Sequence, residues 1–207
     1  MANFLRLKLG IFCLAIAACG GVHGQSSPKI VAVEEDWEVV LATPDPWRAS
    51  PQFVTYMSPT DSLDGQHFSV DWNHVQRPDG AAGGFRTKAL RGDELVTGRF
   101  SPIGGNLDHE GETIRWTQRM MLENGVLSFD IVAGTSHSWG AFGGDSVRVT
   151  IPAPALADLN RYSPHSSVEW SGIGYAANRI QHFTLANVRL FMDDGQVFSL
   201  VVRTQAE

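Results

Sequence analysis

The chain has 207 residues, with 16 basic and 22 acidic side chains and a formal net charge of −6. A hydrophobic content of 43% argues against intrinsic disorder of the whole chain, and the length suits one or two domains. Nucleic-acid binding requires a basic surface, which an acidic chain with only three lysines lacks. We therefore expect a compact acidic protein and no nucleic-acid partner.

The first 24 residues have the pattern of a secretory signal peptide. Arg6 and Lys8 precede the apolar run Leu9–Ala18, which is too short to cross a bilayer as a helix. Val22 and Gly24 place small residues at the positions that a signal peptidase reads, which predicts cleavage after residue 24 and leaves 25–28 as a short polar leader. Residues 16–19 alternatively resemble a bacterial lipobox, in which residues 1–18 are removed and Cys19 is lipidated. Both alternatives predict an exported protein, secreted, periplasmic or held in the envelope by a lipid at Cys19.

Cysteine usage separates this segment from the rest of the chain. Cys13 and Cys19 are the only two cysteines, and both precede residue 25. A domain that follows them contains no disulfide and no thiolate metal site, so its stability must come from its core. We find no linker or repeat beyond the leader, and we predict one domain over residues 29–207.

Alternation of apolar and polar side chains dominates this region. In His67–Asn73, apolar residues 68, 70 and 72 share one face of a predicted strand. A tight turn at Asn124-Gly125 predicts a hairpin, because this pair tolerates positive φ at both central positions. Pairing outward from the turn places Leu122 opposite Leu127 on one face and Arg119 opposite Asp130 on the other.

A second hairpin is predicted around Asp193-Asp194-Gly195. A three-residue loop with Gly195 left-handed pairs Leu190 with Phe198 and Val188 with Leu200, and we prefer it to a two-residue loop. Weaker strands are predicted over 37–41, 53–57, 85–90, 147–151 and 168–175, and a single helical turn over 154–160. Many short strands with Gly, Pro and Asn turns predict an all-β, two-sheet antiparallel jelly-roll sandwich.

The second half carries a resemblance to a known fold family. The segments 129–134, 138–144, 159–164 and 171–179, followed by the strand 183–191, are similar to concanavalin A-like lectin/glucanase sandwiches of secreted bacterial proteins. The similarity is closest to an exported group rather than to a particular enzyme family, and it covers about residues 126–192. It implies a two-sheet jelly roll whose concave face often binds sugars, and it implies no catalytic residue.

Tryptophan suggests where a sugar would bind, because indole faces stack on the apolar faces of sugar rings. Trp139 lies in a loop rich in glycine and serine, so we consider it a ligand contact, together with Tyr175 and Asn178. Anchoring of the loop in the core is the alternative for Trp139. For Trp72 and Trp116, which fall at inward positions of strands, we expect the core.

Carboxylates raise the alternative of an enzyme. Glu34, Asp36 and Glu38 occupy alternate positions of the sequence, as the paired acids on a strand face of sandwich glucanases do. The family's spacing requires a further acid at position 39, which is valine, so an exposed acidic strand or turn is the preferred interpretation. Acidic turns at Asp61 and Asp64, and at residues 108 and 110, leave Ca²⁺ binding open. No zinc motif or nucleophile elbow is present, and we expect no other cofactor.

These observations favour an exported, non-catalytic module that binds polysaccharide or cell-surface glycan. A polysaccharide hydrolase or lyase, and a structural envelope protein without a small ligand, remain the alternatives.

Overall fold

The structure, a computed structural model, describes residues 27–42, 51–73, 83–101, 103, 105–107, 109 and 111–206. The predicted signal peptide with its lipidation candidate Cys19 lies outside these residues, as do Asp108 and Glu110 of one candidate calcium turn. The strands and the helix of the described residues are β1 (Ile30–Leu41), β2 (Gln52–Met57), β3 (Gln66–Trp72), β4 (Phe85–Arg91), β5 (Glu94–Phe100), β6 (Thr113–Glu123), β7 (Val126–Ser136), β8 (Gly140–Phe142), β9 (Val149–Pro152), α1 (Pro164–Trp170), β10 (Gly172–Tyr175), β11 (Ile180–Met192) and β12 (Val197–Gln205).

Two antiparallel sheets form a sandwich. The seven-stranded sheet has the order β12-β11-β1-β6-β7-β8, and β9 also pairs with β7. The five-stranded sheet has the order β10-β2-β3-β4-β5. The prediction of an all-β, two-sheet, jelly-roll-like architecture is confirmed.

Aromatic side chains fill the space between the sheets. Trp37 and Trp116 stack in parallel from neighbouring strands of the larger sheet, with ring centroids 6.2 Å apart. Trp72 from the smaller sheet approaches Trp116 to 4.2 Å, and Phe53 and Phe183 close the cluster. The predicted core positions of Trp72 and Trp116 are therefore confirmed, since both are almost fully buried. Large rings on facing strands bury much apolar area, which is the main stabilising term of such a core.

Both predicted hairpins are confirmed in register. Leu122 pairs with Leu127 and Arg119 with Asp130 around the turn at Asn124-Gly125, where both turn residues have positive φ. In the second hairpin Leu190 pairs with Phe198, and Gly195 has φ +84° as a left-handed turn residue. In each case the turn chemistry and the apolar alternation favour the same register, which is why sequence was sufficient.

The prediction for residues 154–175 was wrong in two respects. Residues 154–160 form turns without a helix, and part of the predicted strand 168–175 is the helix Pro164–Trp170, with only Gly172–Tyr175 extended. The helix begins where Ser163 caps it, accepting a hydrogen bond from the Ser166 backbone N–H, with Pro164 in the first turn. Ser163-Pro164 is a start signal for a helix. The sequence analysis instead predicts a strand from residue 168 because of the apolar residues that follow this signal.

A buried carboxylate lies on the inner face of β1. Glu35 is fully buried and accepts hydrogen bonds from Trp37 Nε1 at 2.8 Å, Gln118 Nε2 at 2.7 Å and the Tyr162 hydroxyl at 2.6 Å. Burial raises the pKa of Glu35 above its ordinary value, and the surrounding donors act in the opposite direction. Burial and the adjacent Glu35 also raise the pKa of Tyr162 well above its ordinary value. The phenol therefore remains a donor throughout the ordinary pH range.

Gln118 extends this cluster across the core. Its Oε1 accepts hydrogen bonds from the Thr55 hydroxyl at 3.1 Å and Trp116 Nε1 at 3.3 Å. The Thr55 hydroxyl in turn accepts from Trp72 Nε1 at 3.0 Å. Because Glu35 and Gln118 belong to the larger sheet and Thr55 and Trp72 to the smaller one, hydrogen bonds connect the two sheets through their shared core.

Replacement of Tyr162 with phenylalanine tests the energetic role of this cluster. The Tyr162→Phe variant leaves the buried Glu35 carboxylate without one donor, so we expect its free energy of unfolding to fall by about 1–3 kcal/mol. Tyr56→Phe is the matched control, since the Tyr56 hydroxyl makes no hydrogen bond within the described ranges. Urea denaturation measures both. Equal effects in the two variants would contradict a special role for the Tyr162 hydroxyl.

Candidate ligand-binding face

The outer face of the seven-stranded sheet contains an open depression of about 420 Å³. Because Trp37 points into the core, the alternation of β1 directs Asp36 and Glu38 outward to this depression. Four adjacent strands contribute to it. The residues around it are Asp36, Trp37, Glu38, Arg115, Trp116, Thr117, Ala133, Gly134, Thr135 and Ala186.

Two β-bulges and small side chains explain why the depression forms there. The pairing of β1 with β11 shifts between Asp36 and Trp37, which leaves Ala186 as the extra residue of β11. The pairing of β6 with β7 shifts between Thr117 and Gln118, next to Ala133. Bulges bend a sheet locally and increase its twist. Alanine at both places leaves open the space that a longer side chain would fill.

One side of the depression is bounded by a row of alternating charges. Arg189, Glu34, Arg119 and Asp130 are direct neighbours across β11, β1, β6 and β7. Arg189 Nε lies 2.9 Å from Glu34 Oε2, and Arg119 NH2 lies 3.3 Å from Asp130 Oδ2. Opposite charges directly across strands stabilise a sheet modestly. Here they also fix the long side chains, so the edge of the depression is ordered before any ligand arrives.

Asp36 is the best-held acid of this face. Both of its carboxylate oxygens accept hydrogen bonds from Arg189, at 2.5 and 2.8 Å, and Thr117 and Asn187 donate two more. Partial burial acts to raise the pKa of Asp36, but these hydrogen bonds and the Arg189 charge outweigh it and hold the pKa below its ordinary value. Asp36 is therefore an ionised acceptor at neutral pH.

Glu38 and Arg115 form the exposed part of the face. Arg115 Nε lies 2.6 Å from Glu38 Oε2, and the Arg115 side chain is 64% exposed. Exposed ion pairs contribute little to folding stability. The pair is consequently free to exchange its hydrogen bond for one to a ligand at small cost, and Thr135 lies directly across from Arg115 as a further hydroxyl.

The three predicted ligand contacts lie elsewhere. Trp139 is buried: its Nε1 donates to the Gly105 carbonyl at 2.8 Å, and its ring stacks on Trp72 with 6.5 Å between centroids. Tyr175 is 46% exposed at the end of β10, and Asn178 is exposed in the short 3₁₀ turn that follows. None of the three lines the depression on the larger sheet.

Tyr175 adjoins a smaller depression on the outside of the five-stranded sheet. It pairs with Gln52, and Gln52, Asp71 and Gly174 line this depression of about 230 Å³. Lys88 Nζ lies 2.7 Å from Asp71 Oδ1 there. Tyr175 therefore lies beside the smaller depression and Asn178 follows it in the chain, whereas the ring of Trp139 packs in the core.

The acidic alternation in the sequence predicts two of the ten residues around the larger depression, Asp36 and Glu38. Glu34, Asp36 and Glu38 all lie on the outer face of β1. The sequence analysis does not predict Arg115, Thr117 and Arg189 as part of this face, although the hairpin registers place their strand faces outward. Pairing of β1 between β6 and β11 could not be read from local patterns, because these strands are far apart in the sequence.

The described residues were also examined for a metal site and for a membrane-spanning helix. Asp61 of one candidate calcium turn is paired with Arg161 at 2.8 Å, and the described residues contain no cluster of three or more potential metal ligands. Within the same residues, no helix is long and apolar enough to span a bilayer.

No protein-family model, curated protein or solved structure matches this chain.

Protonation of Asp36 should weaken the fold in acid. A carboxyl whose folded pKa is depressed stabilises the protein above its unfolded pKa, about 3.9, and loses that contribution as the pH falls through the folded pKa. We expect Asp36→Asn to lower the free energy of unfolding by about 1–3 kcal/mol at neutral pH and by much less near pH 2. Urea titrations at both pH values measure this difference. Asp61→Asn, which breaks an exposed ion pair, is the control, and an equal pH dependence in both variants would contradict the assignment.

Proposed function

We propose that the protein is an exported glycan-binding module that contacts polysaccharide through the depression on its seven-stranded sheet. The observation that carries this proposal is the exposed Glu38–Arg115 pair beside the firmly held Asp36. Sugar hydroxyls both donate and accept hydrogen bonds, so a surface that presents fixed carboxylates next to a guanidinium can satisfy them in pairs.

The shape of the site supports a polymer rather than an enclosed small ligand. Its volume of about 420 Å³ falls in the range of ligand sites, but it opens along a sheet face crossed by four strands. An extended chain of sugars can lie across such a face and continue beyond it. The resemblance to concanavalin A-like sandwiches implies the same kind of surface.

The pattern of ionisation favours binding over hydrolysis. A glycosidase uses two carboxyl groups at the scissile bond, one of which has a raised pKa and acts as the acid. Asp36 on the outer face has a lowered pKa and is occupied by Arg189, whereas Glu35, whose pKa is raised, is fully buried on the opposite face of β1. The carboxyl group with the raised pKa thus lies on the opposite face of β1 from the depression.

The proposal is tested with a panel of soluble polysaccharides, with and without Ca²⁺, by calorimetry or affinity electrophoresis. We expect Arg115→Ala to weaken binding about ten- to a hundredfold, since it removes charge-assisted hydrogen bonds worth about 1.5–3 kcal/mol. Arg161→Ala is the matched control, because Arg161 forms a similarly exposed ion pair on another part of the surface. Equal binding by both variants would contradict the proposed site.

Tyr175→Ala distinguishes the two depressions. Tyr175 is exposed, so its removal costs little folding stability, and loss of binding in this variant alone would move the site to the five-stranded sheet.

Trp139→Ala is less informative, because deletion of a buried tryptophan costs about 3–5 kcal/mol and affects any function through folding. Shortening of the polymer during the assay would favour a hydrolase or lyase instead.

A further inference from the structure

Strand β12 is an unusually unprotected edge. It is the outermost strand of the seven-stranded sheet, and no charged residue occurs from position 197 to 202. Val197, Phe198, Leu200 and Val201 are all about half exposed or more, and Val201 reaches 74%. Natural edge strands normally carry charges, proline or a bulge that prevent pairing with another chain. The first such device in β12 is Arg203, whose φ is +46°.

The other edges of the described sheets are protected. On the five-stranded sheet, β5 carries Glu94 and Arg99, and the Arg86 guanidinium covers the ring of Phe100 at 5.0 Å. β10 at the opposite edge has four residues, and on the larger sheet β8 and β9, which both pair with β7, have three and four. Short or charged edges offer few groups for pairing, so the contrast singles out β12.

The backbone of β12 also directs hydrogen-bonding groups outward. Met192 N donates to the Gln196 carbonyl at 2.9 Å across the hairpin, which makes 192/196 a hydrogen-bonded pair. Such pairs recur at every second position, so the pairs 190/198 and 188/200 bond within the sheet. The N–H and C=O groups of Val197, Ser199 and Val201 consequently point away from β11.

We propose that two copies of the protein associate through antiparallel pairing of β12, with a two-fold axis at Ser199. In this register Val197 faces Val201 of the partner subunit, and Phe198 faces the partner's Leu200. The three outward positions form three hydrogen-bonded pairs with two bonds each, or about six bonds in all. Valine meets valine on one face and phenylalanine meets leucine on the other, so the exposed apolar groups cover one another.

Charge supports a second copy as the occupant. Antiparallel pairing brings the end of β12 that carries Arg203 toward the turn of the other copy that carries the partner's Asp194, so opposite charges flank the paired strands. Both residues are exposed in the single chain. Two-fold symmetry repeats this favourable pair at the other end of the interface. A strand whose own sequence complements itself in apolar contacts, hydrogen bonds and charge is suited to an isologous dimer.

The mass of the protein in solution tests this inference. The full 207-residue sequence is expressed, and the protein recovered from the cell is examined by size-exclusion chromatography with light scattering. We expect a dimer for the wild type and a halved mass for Val201→Lys, which places two lysines at the pairing edge. Val96→Lys, on the protected edge β5, is the control and should remain dimeric. A monomeric wild type, or a dimer unaffected by Val201→Lys, would overturn the proposal.

Disulfide trapping tests the register independently of any effect on folding. Residues facing each other in a hydrogen-bonded pair have Cα atoms about 5.5 Å apart, within the range that a disulfide spans. Ser199→Cys should therefore form a covalent dimer under mild oxidation, whereas Val197→Cys, which faces a valine, should not exceed the wild-type background. Equal cross-linking by both variants would refute an axis at Ser199. Neither experiment depends on the proposed glycan binding.

Discussion

The hydrogen-bonded chain from Glu35 through Gln118 to Thr55 is the constraint on which the rest of the sandwich depends. It connects the two sheets inside an aromatic core. Its hydrogen bonds also offset the free-energy cost of burying the carboxyl group of Glu35. Side chains alternate along a strand, so fixing Glu35 inward fixes Glu34 and Asp36 outward. A slip of one residue would bury those two acids and expose Trp37. The core therefore determines which acids the surface presents.

The same strand register determines which charged side chains lie next to one another on the outer face of the larger sheet. The row from Arg189 to Asp130 consists of opposite charges that the strand order places side by side. Next to it, Ala186 is the extra residue of one bulge and Ala133 adjoins the other, and the surface forms a depression there. Charged side chains are thus held at the boundary of a space that small residues keep open. The larger sheet therefore differs from an ordinary polar surface in two respects: its charged side chains are held by ion pairs, and they border an open depression.

Sequence predicted the features that neighbouring residues determine. The two hairpins were predictable in register because Asn124-Gly125 and Gly195 specify their turns and the flanking residues alternate. The burial of Trp72 followed from the same alternation. The burial of Trp139 could not be predicted in this way, because a tryptophan in a glycine-rich loop can face either the solvent or the core. Its stacking on Trp72, which is distant in the sequence, places it in the core. The hydrogen-bond partners of Asp36 could not be predicted either, because Arg189 is far from Asp36 in the sequence and only the pairing of β1 with β11 brings them together.

Dimerisation through β12 would change what the larger sheet can bind. Antiparallel pairing about an axis perpendicular to the sheet continues the sheet from one copy into the next, so the depressions of both copies open on the same side. Under the proposed function, two linked sites on one face would engage a glycan polymer together, because such a polymer repeats its binding groups along its length. The second contact is intramolecular, and avidity can exceed the affinity of one site by about 10²–10⁴. A weak, open depression, which would hold a single sugar poorly, becomes effective when it is presented twice on one continuous surface.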